Sequence, residues 1–308
     1  MKTGEKPGLR ICEVGPRDGL QNEKSPLTTA DKAAFIDDLH GAGIRYLEAG
    51  SFVSPKAVPA MADTGGVIGA VRALPPGGLI TALIMNGKGL DRALEAGVGG
   101  VAIVCVVSET MCEKNNRRTV QAALDTALDL TLNARRAGLR VRADVATAWH
   151  CPYEGKVAMD AVLAVADPLC EAGVDELCFC DTDGAADPAA VLNLLQRAVP
   201  RYGAERLGVH FHDTRGFALA NATVALQQGI TLFDAAAGGL GGCPFAPGAR
   251  GNLATEDLVL MAGQMGYATG ISLPGLWSAV DRMGRRLGRQ IGGRSGDWYR
   301  QQTEEKHA

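Results

Sequence analysis

The sequence predicts a (β/α)8 barrel, also called a TIM barrel, with an additional helical segment at its C-terminal end. Short apolar segments rich in β-branched residues alternate eight times with longer helix-patterned segments between residues 8 and 270, which is the repeat of such a barrel. The strand segments are continuously apolar, as in parallel sheets whose faces are covered. A doubly wound sheet is the rival fold, but no dinucleotide-binding glycine pattern follows the first strand.

The eight strand–helix pairs follow one another along the chain. The predicted strands begin at Leu9, Arg45, Leu79, Gly100, Leu139, Val174, Arg206 and Thr231. The predicted helices cover residues 28–42, 63–74, 89–96, 119–137, 158–172, 188–199 and 217–228, and the eighth begins near residue 253. Residues 273–288 predict an extra helix and residues 301–308 a polar, frayed tail. No segment has the composition of a linker, so we expect a single catalytic domain over residues 1–308, with the barrel at about 8–270.

Composition and charge exclude several classes of protein. Of the 308 residues, 46% are hydrophobic, which argues against wholesale disorder. The net charge of −3 and the absence of a basic block ahead of the tail argue against nucleic acid as the main partner. No apolar run reaches the roughly 18 to 20 residues of a membrane span, and the first residues lack a secretory signal. We therefore expect a cytoplasmic protein that binds neither membranes nor nucleic acid.

Most of the eight cysteines are predicted to be buried thiols rather than members of a disulfide framework. Several lie within apolar runs of a long chain that has no secretory signal. Cys178 and Cys180 suggest a metal site, but no second cysteine pair stands at a zinc-binding spacing. The spacing alone therefore predicts no metal at this pair.

Polar and ionisable residues gather directly after the predicted strands. In a barrel, catalytic residues lie at the C-terminal ends of the strands and on the loops that follow. These residues are Glu13, Arg17 and Asp18 after strand one, Glu48 after strand two, Ser108 and Glu109 after strand four, Asp181 and Asp183 after strand six, and His210, His212 and Asp213 after strand seven. Their concentration at one end predicts an active site there.

His210 and His212 are the most specific of these residues. Positions i and i+2 of a strand point to the same face, so the two imidazoles project together into the barrel mouth. Paired histidines there are good divalent-metal ligands; the alternative is that one of them only supports the site. Asp18 and a neutral oxygen such as the Asn252 amide would complete a set that suits Mg²⁺ or Mn²⁺ better than Zn²⁺.

Two further features follow strands eight and one. The glycine-rich turn at residues 238–242 leads to Cys243, and it is interpreted as a flexible loop, a weak phosphate site or a lid that carries a proton donor. From the residues alone, an inert thiol and a proton-donating thiol at Cys243 are equal alternatives.

Arg17, which follows strand one, is either a surface ion-pair residue or a fixed cation that stabilises an oxyanion.

Five segments of the sequence resemble the hydroxymethylglutaryl-CoA lyase family. They are VGPRDGLQNE (14–23), SFVSPKAVPAMAD (51–63), CPYEGK (151–156), HDTRGFALAN (212–221) and GGLGGCPFAPGARGNLATEDLV (238–259), and they span nearly the whole chain. The resemblance implies a metal-dependent barrel that cleaves a 3-hydroxy-3-methylglutaryl-CoA-like thioester to acetyl-CoA and acetoacetate. An acyl-CoA partner follows from it. The extra C-terminal helix suggests a homodimer or higher homo-oligomer.

The resemblance also implies roles for individual residues. The implied ligands of a divalent metal, Mg²⁺ or Mn²⁺, are Asp18, His210, His212 and Asn252. Arg17 would contact the substrate and stabilise the enolate oxygen, and Cys243 would be the catalytic thiol that protonates the enolate. The implied supporting acidic positions are Glu48, Asp181 and Glu256. Either Asp181 or His210 would accept the proton of the tertiary hydroxyl.

The sequence departs from the family's common pattern near strands five and six. Asp144 stands where the family usually has tyrosine, Trp149 and His150 replace a small pair, and residues 178–180 replace small or polar residues. If these side chains flank the acyl group, the preferred substrate differs from plain 3-hydroxy-3-methylglutaryl-CoA. Two other activities are alternatives: condensation of acetyl-CoA with a keto acid by a related barrel, and metabolite binding without catalysis.

Overall fold

A computed structural model of the chain describes residues 7–72, 74–242 and 251–304, and in it eight parallel strands close into a barrel. The barrel strands are β1 (Arg10–Glu13), β2 (Tyr46–Ser51), β3 (Leu79–Ile84), β4 (Gly100–Val106), β5 (Arg140–Ala146), β8 (Glu176–Asp181), β9 (Leu207–Phe211) and β10 (Leu232–Ala235). A small antiparallel hairpin, β6 (His150–Cys151) and β7 (Gly155–Lys156), lies between β5 and β8. Each predicted strand segment forms a barrel strand, so the predicted fold class is confirmed.

The helices of the described residues surround the barrel. They are α1 (Thr29–Gly41), α2 (Thr64–Ala70), α3 (Gly87–Glu95), α4 (Glu109–Asn116), α5 (Val120–Arg136), α6 (Met159–Glu171), α7 (Pro188–Tyr202), α8 (Ala218–Gln227), α9 (Thr255–Gln264), α10 (Leu273–Leu287) and α11 (Gly296–Glu304). Several begin after a side chain that accepts a hydrogen bond from the backbone N–H three residues on, as Thr28 does before α1 and Asp187 before α7. None of these helices is long and apolar enough to cross a membrane.

Two helices depart from the sequence prediction. The short helix α4 was not predicted, because its buried apolar residues, Met111 and Cys112, are adjacent and produce no helical period. Helix α11 extends through Gln301–Glu304, which the sequence predicted as a frayed tail. The ring of Tyr299 stacks on Trp277 of α10 with centroids 5.1 Å apart, and this packing holds the helix on the barrel.

The barrel interior carries ion pairs as well as apolar side chains. Arg142 of β5 reaches across the barrel to Asp234 of β10 at 2.6 Å, and it also binds Asp144 at 2.6 Å. Nearer the N-terminal ends of the strands, Glu176 of β8 accepts a hydrogen bond from the Tyr46 hydroxyl of β2. Because β5 and β10, like β2 and β8, are not neighbours in the barrel, these contacts pass through its interior. Charged residues thus lie directly beneath the C-terminal mouth.

Candidate active site

A cavity of about 280 Å³ opens at the C-terminal ends of the strands, where the sequence predicted the active site. Its wall contains Arg17, Asp18, His210 and His212 together with residues of β4, β5 and β8. Arg17 and Asp18 lie in a single π-helical turn, Gly15–Gly19, that directly follows β1. The closing of the barrel brings this turn next to β10 and β9, so residues almost 200 positions apart share one cavity.

Asp18, His210 and His212 form a compact ligand set. Their candidate ligand atoms all lie within 4.8 Å of one another, and the two imidazole rings have centroids 5.1 Å apart. His212 Nε2 lies 3.7 Å from Asp18 Oδ2. Burial acts to raise the pKa of Asp18, but the Arg17 guanidinium and the two imidazoles hold it well below its ordinary value. Asp18 is therefore a carboxylate at neutral pH, as a metal ligand must be.

Asn252 joins this set through its amide. Its Nδ2 donates hydrogen bonds to Asp18 Oδ2 at 2.7 Å and to the Leu240 carbonyl at 3.0 Å. Its Oδ1 is buried and has no hydrogen-bond partner among the residues that the structure describes. A buried acceptor without a donor is costly, and a cation beside Asp18 would satisfy it. The four predicted ligands thus fit a divalent cation held by nitrogen and oxygen donors.

Asp234 orients one of the two histidines and is not among the site residues predicted from the sequence. Its Oδ2 lies 3.0 Å from His210 Nδ1, which leaves Nε2 of that ring for the cavity. The same oxygen accepts a hydrogen bond from Arg142 Nη2 at 2.6 Å. A carboxylate on the far nitrogen of a ligating histidine fixes its tautomer and raises its basicity. The regular two-residue alternation of β10 marks Asp234 as an inward residue, but only the closed barrel places it beside His210.

We expect Asp234→Asn to weaken metal binding by roughly 10- to 100-fold, since an amide is a poorer acceptor for the imidazole N–H. Titration of the metal-free protein with Mn²⁺ measures this directly. Asp183→Asn is the matched control, because Asp183 binds Nδ1 of His150 at 2.6 Å, a histidine outside the ligand set. Equal losses in the two variants would show that Asp234 has no specific effect on the metal.

Arg17 and Glu48 form a buried ion pair at the edge of the site. Arg17 Nε donates to Glu48 Oε1, and its Nη1 lies 2.6 Å from Asp18 Oδ1. Burial raises the pKa of Glu48 to about 6, although the Arg17 cation opposes the shift. The guanidinium is therefore held by two carboxylates at the cavity wall, where the sequence predicted a fixed cation. The alternative of an exposed ion pair is wrong, because the Arg17 side chain is buried.

Asp181 and Glu256 support loops of the site. Asp181 Oδ1 accepts hydrogen bonds from the backbone N–H groups of Ala185 and Ala186. Glu256 accepts them from Gly238 at 3.0 Å and Gly293 at 2.7 Å. Burial raises the pKa of Asp181 to about 6 and that of Glu256 to about 7. Each carboxylate therefore holds a loop beside the site, and Asp181 Oδ2 has no hydrogen-bond partner among the described residues.

The glycine-rich turn packs directly against the ligand set. Gly241 has a φ of +92°, and a Cβ added there would lie 2.6 Å from Asn252 Nδ2. A larger residue would therefore displace the amide of a predicted ligand. Gly242 lines the cavity. Cys243, the predicted catalytic thiol, lies outside the described residues.

The comparisons with known proteins agree with this geometry. The family model described as HMGL-like matches residues 8–282. The chain belongs to the HMGL-like family. It is 42% identical to the hydroxymethylglutaryl-CoA lyase YngG of Bacillus subtilis, with 93% of this chain and 96% of that protein covered. It is 41% identical to a 3-hydroxy-3-isohexenylglutaryl-CoA/hydroxy-methylglutaryl-CoA lyase of Pseudomonas aeruginosa, over 93% of this chain and 95% of that one.

Solved structures of HMGL-like enzymes show the same barrel. An HMG-CoA lyase of Acinetobacter baumannii, solved in complex with coenzyme A and 3-methylmalate, superimposes with a TM-score of 0.89 at 35% identity. The alignment covers 94% of each chain.

The residues that depart from the family pattern separate into two groups in the structure. Asp144 and Cys180 line the cavity. Phe179 is fully buried in the hydrophobic core, and the Trp149 ring packs 5.7 Å from Phe211 while its indole N–H donates to the Ala190 carbonyl. The condition that departing side chains flank the acyl group is therefore not met by Trp149 and Phe179, which pack in the core. Phe179 alternates with the inward residues of β8 and so faces the helices.

Proposed function

We propose that this HMGL-like protein is a carbon–carbon lyase that cleaves 3-hydroxy-3-methylglutaryl-CoA, or a related 3-hydroxyacyl-CoA, to acetyl-CoA and a keto acid such as acetoacetate. The observation that carries the proposal is the convergence of Asp18, His210, His212 and the Asn252 amide oxygen around one cavity that Arg17 also lines. We propose Mg²⁺ or Mn²⁺ as the cofactor, because the donors are nitrogen and oxygen. A bound divalent cation would lower the pKa of a coordinated hydroxyl group.

The residues of the chain meet the remaining requirements of the reaction. The tertiary hydroxyl of the substrate must lose a proton. His210 has no free ring nitrogen for this proton once Nε2 binds the cation, because Nδ1 faces Asp234. Asp181 is therefore the proposed base, and its Oδ2 is buried without a hydrogen-bond partner among the described residues. Cleavage of the C2–C3 bond leaves an acetyl-CoA enolate, whose negative charge the buried Arg17 guanidinium balances. Cys243 then donates a proton to the enolate carbon, a role that rests on the family resemblance. A thiol with a pKa near 8.5 is mostly protonated at neutral pH and suits this step.

A coenzyme A thioester is the proposed partner. The complex of the Acinetobacter enzyme with coenzyme A supports it, since that protein shares the fold and the family. Assembly into a homodimer or higher homo-oligomer, a single catalytic domain and a cytoplasmic location stay predictions from the sequence.

Product analysis tests the proposed function. The purified protein with Mg²⁺ is incubated with 3-hydroxy-3-methylglutaryl-CoA and analogues that differ at the 3-position, and products are identified by mass spectrometry. Acetyl-CoA and a keto acid are expected in equal amounts. Separate incubation with acetyl-CoA and a keto acid tests the condensing alternative, and product in that arm alone would refute the lyase assignment.

We expect 3-hydroxy-3-methylglutaryl-CoA not to be the best substrate of the panel. Of the residues that depart from the family pattern, Asp144 and Cys180 line the cavity, where they place a carboxylate and a thiol. The prediction rests on these two residues. Changed pocket contacts alter discrimination by about 10- to 200-fold each. The Pseudomonas relative, whose name includes an isohexenyl substrate, supports variation at this position. Steady-state kinetics measures it, and a kcat/KM for 3-hydroxy-3-methylglutaryl-CoA that no analogue exceeds would refute the prediction.

A further inference from the structure

Asp144, Cys178 and Cys180 form a second cluster of ligand-type side chains inside the barrel. One ligand atom from each lies within 4.8 Å of the others, and all three residues are buried. Asp144 of β5 stands directly opposite Cys178 in the register of the β5–β8 pair. Cys178 and Cys180 are two positions apart on β8, so both thiols point into the barrel. None of these residues belongs to the ligand set of Asp18, His210, His212 and Asn252.

We propose that Asp144, Cys178 and Cys180 bind a second divalent metal ion of the zinc type. Two thiolates and one carboxylate are ligands that select Zn²⁺ and similar borderline-soft cations over Mg²⁺. The sequence contains no second cysteine pair at a zinc-binding spacing, so its spacing alone predicts no metal at these two cysteines. The third ligand comes instead from the neighbouring strand, 34 positions before Cys178 in the chain, and strand register rather than sequence spacing supplies it.

A divalent cation bound by two thiolates would leave the net charge around the cluster unchanged. Arg142 Nε donates to Asp144 Oδ1 at 2.6 Å, which leaves the second carboxylate oxygen for a metal. Arg142 is shared by Asp144 and Asp234, so these three side chains together carry a net charge of −1. Two thiolates and a divalent cation add no net charge to this group. Arg142 also binds Asp234, so it is anchored from both sides. The two thiolates would offset the two positive charges of the ion, so its binding adds no uncompensated charge to the interior.

The two thiols hydrogen-bond to each other and lie near backbone carbonyls, and hydrogen bonds of sulfur are weak. Cys178 Sγ lies 3.9 Å from the Phe179 carbonyl, and Cys180 Sγ lies 3.8 Å from the Cys178 carbonyl. A thiol with an ordinary pKa of about 8.5 is mostly protonated at neutral pH, whereas a metal is bound by the thiolate. Binding must therefore release protons to the solvent, which gives a second measurable signature. Asp144 and Cys180 line the active-site cavity, so an ion reaches the cluster through that opening.

Cd²⁺ titration of the full-length protein tests the proposal, because a cadmium–thiolate bond produces an ultraviolet charge-transfer absorption. The metal-free protein is titrated with Cd²⁺ in excess Mg²⁺, and absorption and proton release are recorded together. We expect one equivalent of Cd²⁺ with thiolate absorption per chain. Cys178→Ser and Cys180→Ser should remove the absorption, and Asp144→Asn should weaken binding by about tenfold or more.

Two control variants match the thiol substitutions. Cys170→Ser removes a half-buried thiol of α6 outside the cluster and should leave the titration unchanged. Cys243→Ser should also retain the absorption, which distinguishes the cluster from the predicted catalytic thiol. Circular dichroism shows whether each variant is folded. If Cys178→Ser does not fold, Cys180→Ser decides the result, because Cys180 lies at the cavity wall.

The result of the Cd²⁺ titration does not depend on the proposed lyase activity. His210→Ala should lose the first ion and keep the thiolate absorption, so a failed lyase assignment leaves this measurement intact. The absence of thiolate absorption in the wild-type protein would overturn the proposal. So would an absorption that persists unchanged in both Cys178→Ser and Cys180→Ser.

Discussion

Removal of divalent metal is expected to abolish turnover, and addition of Mg²⁺ or Mn²⁺ to the same sample should restore it. The physical reason is the ligand set: Asp18, His210 and His212 lie within 4.8 Å of one another, and the buried Asn252 Oδ1 has no partner in the described chain. Without a cation, the tertiary hydroxyl of the substrate keeps its ordinary pKa, and the first proton transfer becomes slow. Acetyl-CoA release measured before chelation, after chelation and after metal addition checks this.

His210→Ala extends the same prediction to one ligand. We expect turnover to fall to background while the circular dichroism spectrum stays that of the wild type, because residues at the strand ends contribute to the site more than to the core. His150→Ala is the matched control, since His150 pairs with Asp183 and is not a ligand. Undiminished turnover in a sample shown by elemental analysis to be metal-free would refute the assignment of all four ligands.

The fold was predictable because its signal is repeated and local. Eight apolar segments formed the eight strands, and their bounds differ from the predicted ones by a few residues at most. His210 and His212 were predictable because two-residue alternation on a strand requires no knowledge of the partner strands. The same rule already assigned Phe179 to the outer face of β8, opposite Cys178 and Cys180. The alternation on β8 therefore already argued against a position of Phe179 beside the acyl group.

Other features depend on the closed barrel and have no local signal. Asp234 reaches His210 only because β10 follows β9 in the barrel, and Arg142 reaches Asp234 across the interior. The orientation of Trp149 was also not predictable. Thr147, two residues earlier, has a φ of +58°, which interrupts the extended chain and resets the alternation of side chains. The third ligand of the proposed zinc-type site depends on the β5–β8 register in the same way.

Cys243→Ser is expected to reduce turnover by roughly 100-fold or more if the thiol protonates the enolate carbon. Serine has nearly the same size, but its hydroxyl is a far weaker acid than a thiol with a pKa near 8.5. The loss should appear in kcat, since the carbon is protonated only after the C–C bond has broken. Single-turnover and steady-state assays with 3-hydroxy-3-methylglutaryl-CoA measure it, and thiol alkylation should inactivate the wild-type protein more slowly when substrate is bound.

Cys180 is a second thiol that an alkylating reagent can modify, so the experiment must distinguish modification of Cys180 from modification of Cys243. Cys180 lines the cavity and is 9% exposed, whereas most other cysteines of the described chain are fully enclosed. An alkylating reagent can therefore react with Cys180 as well as with Cys243, and peptide mass mapping identifies which modification follows the loss of activity. Modification of Cys243 in step with inactivation, together with substantial turnover in Cys180→Ser, supports the proton-donor role. Near-normal turnover in Cys243→Ser would remove that role, because a serine hydroxyl at the same position cannot deliver the proton at the rate of a thiol.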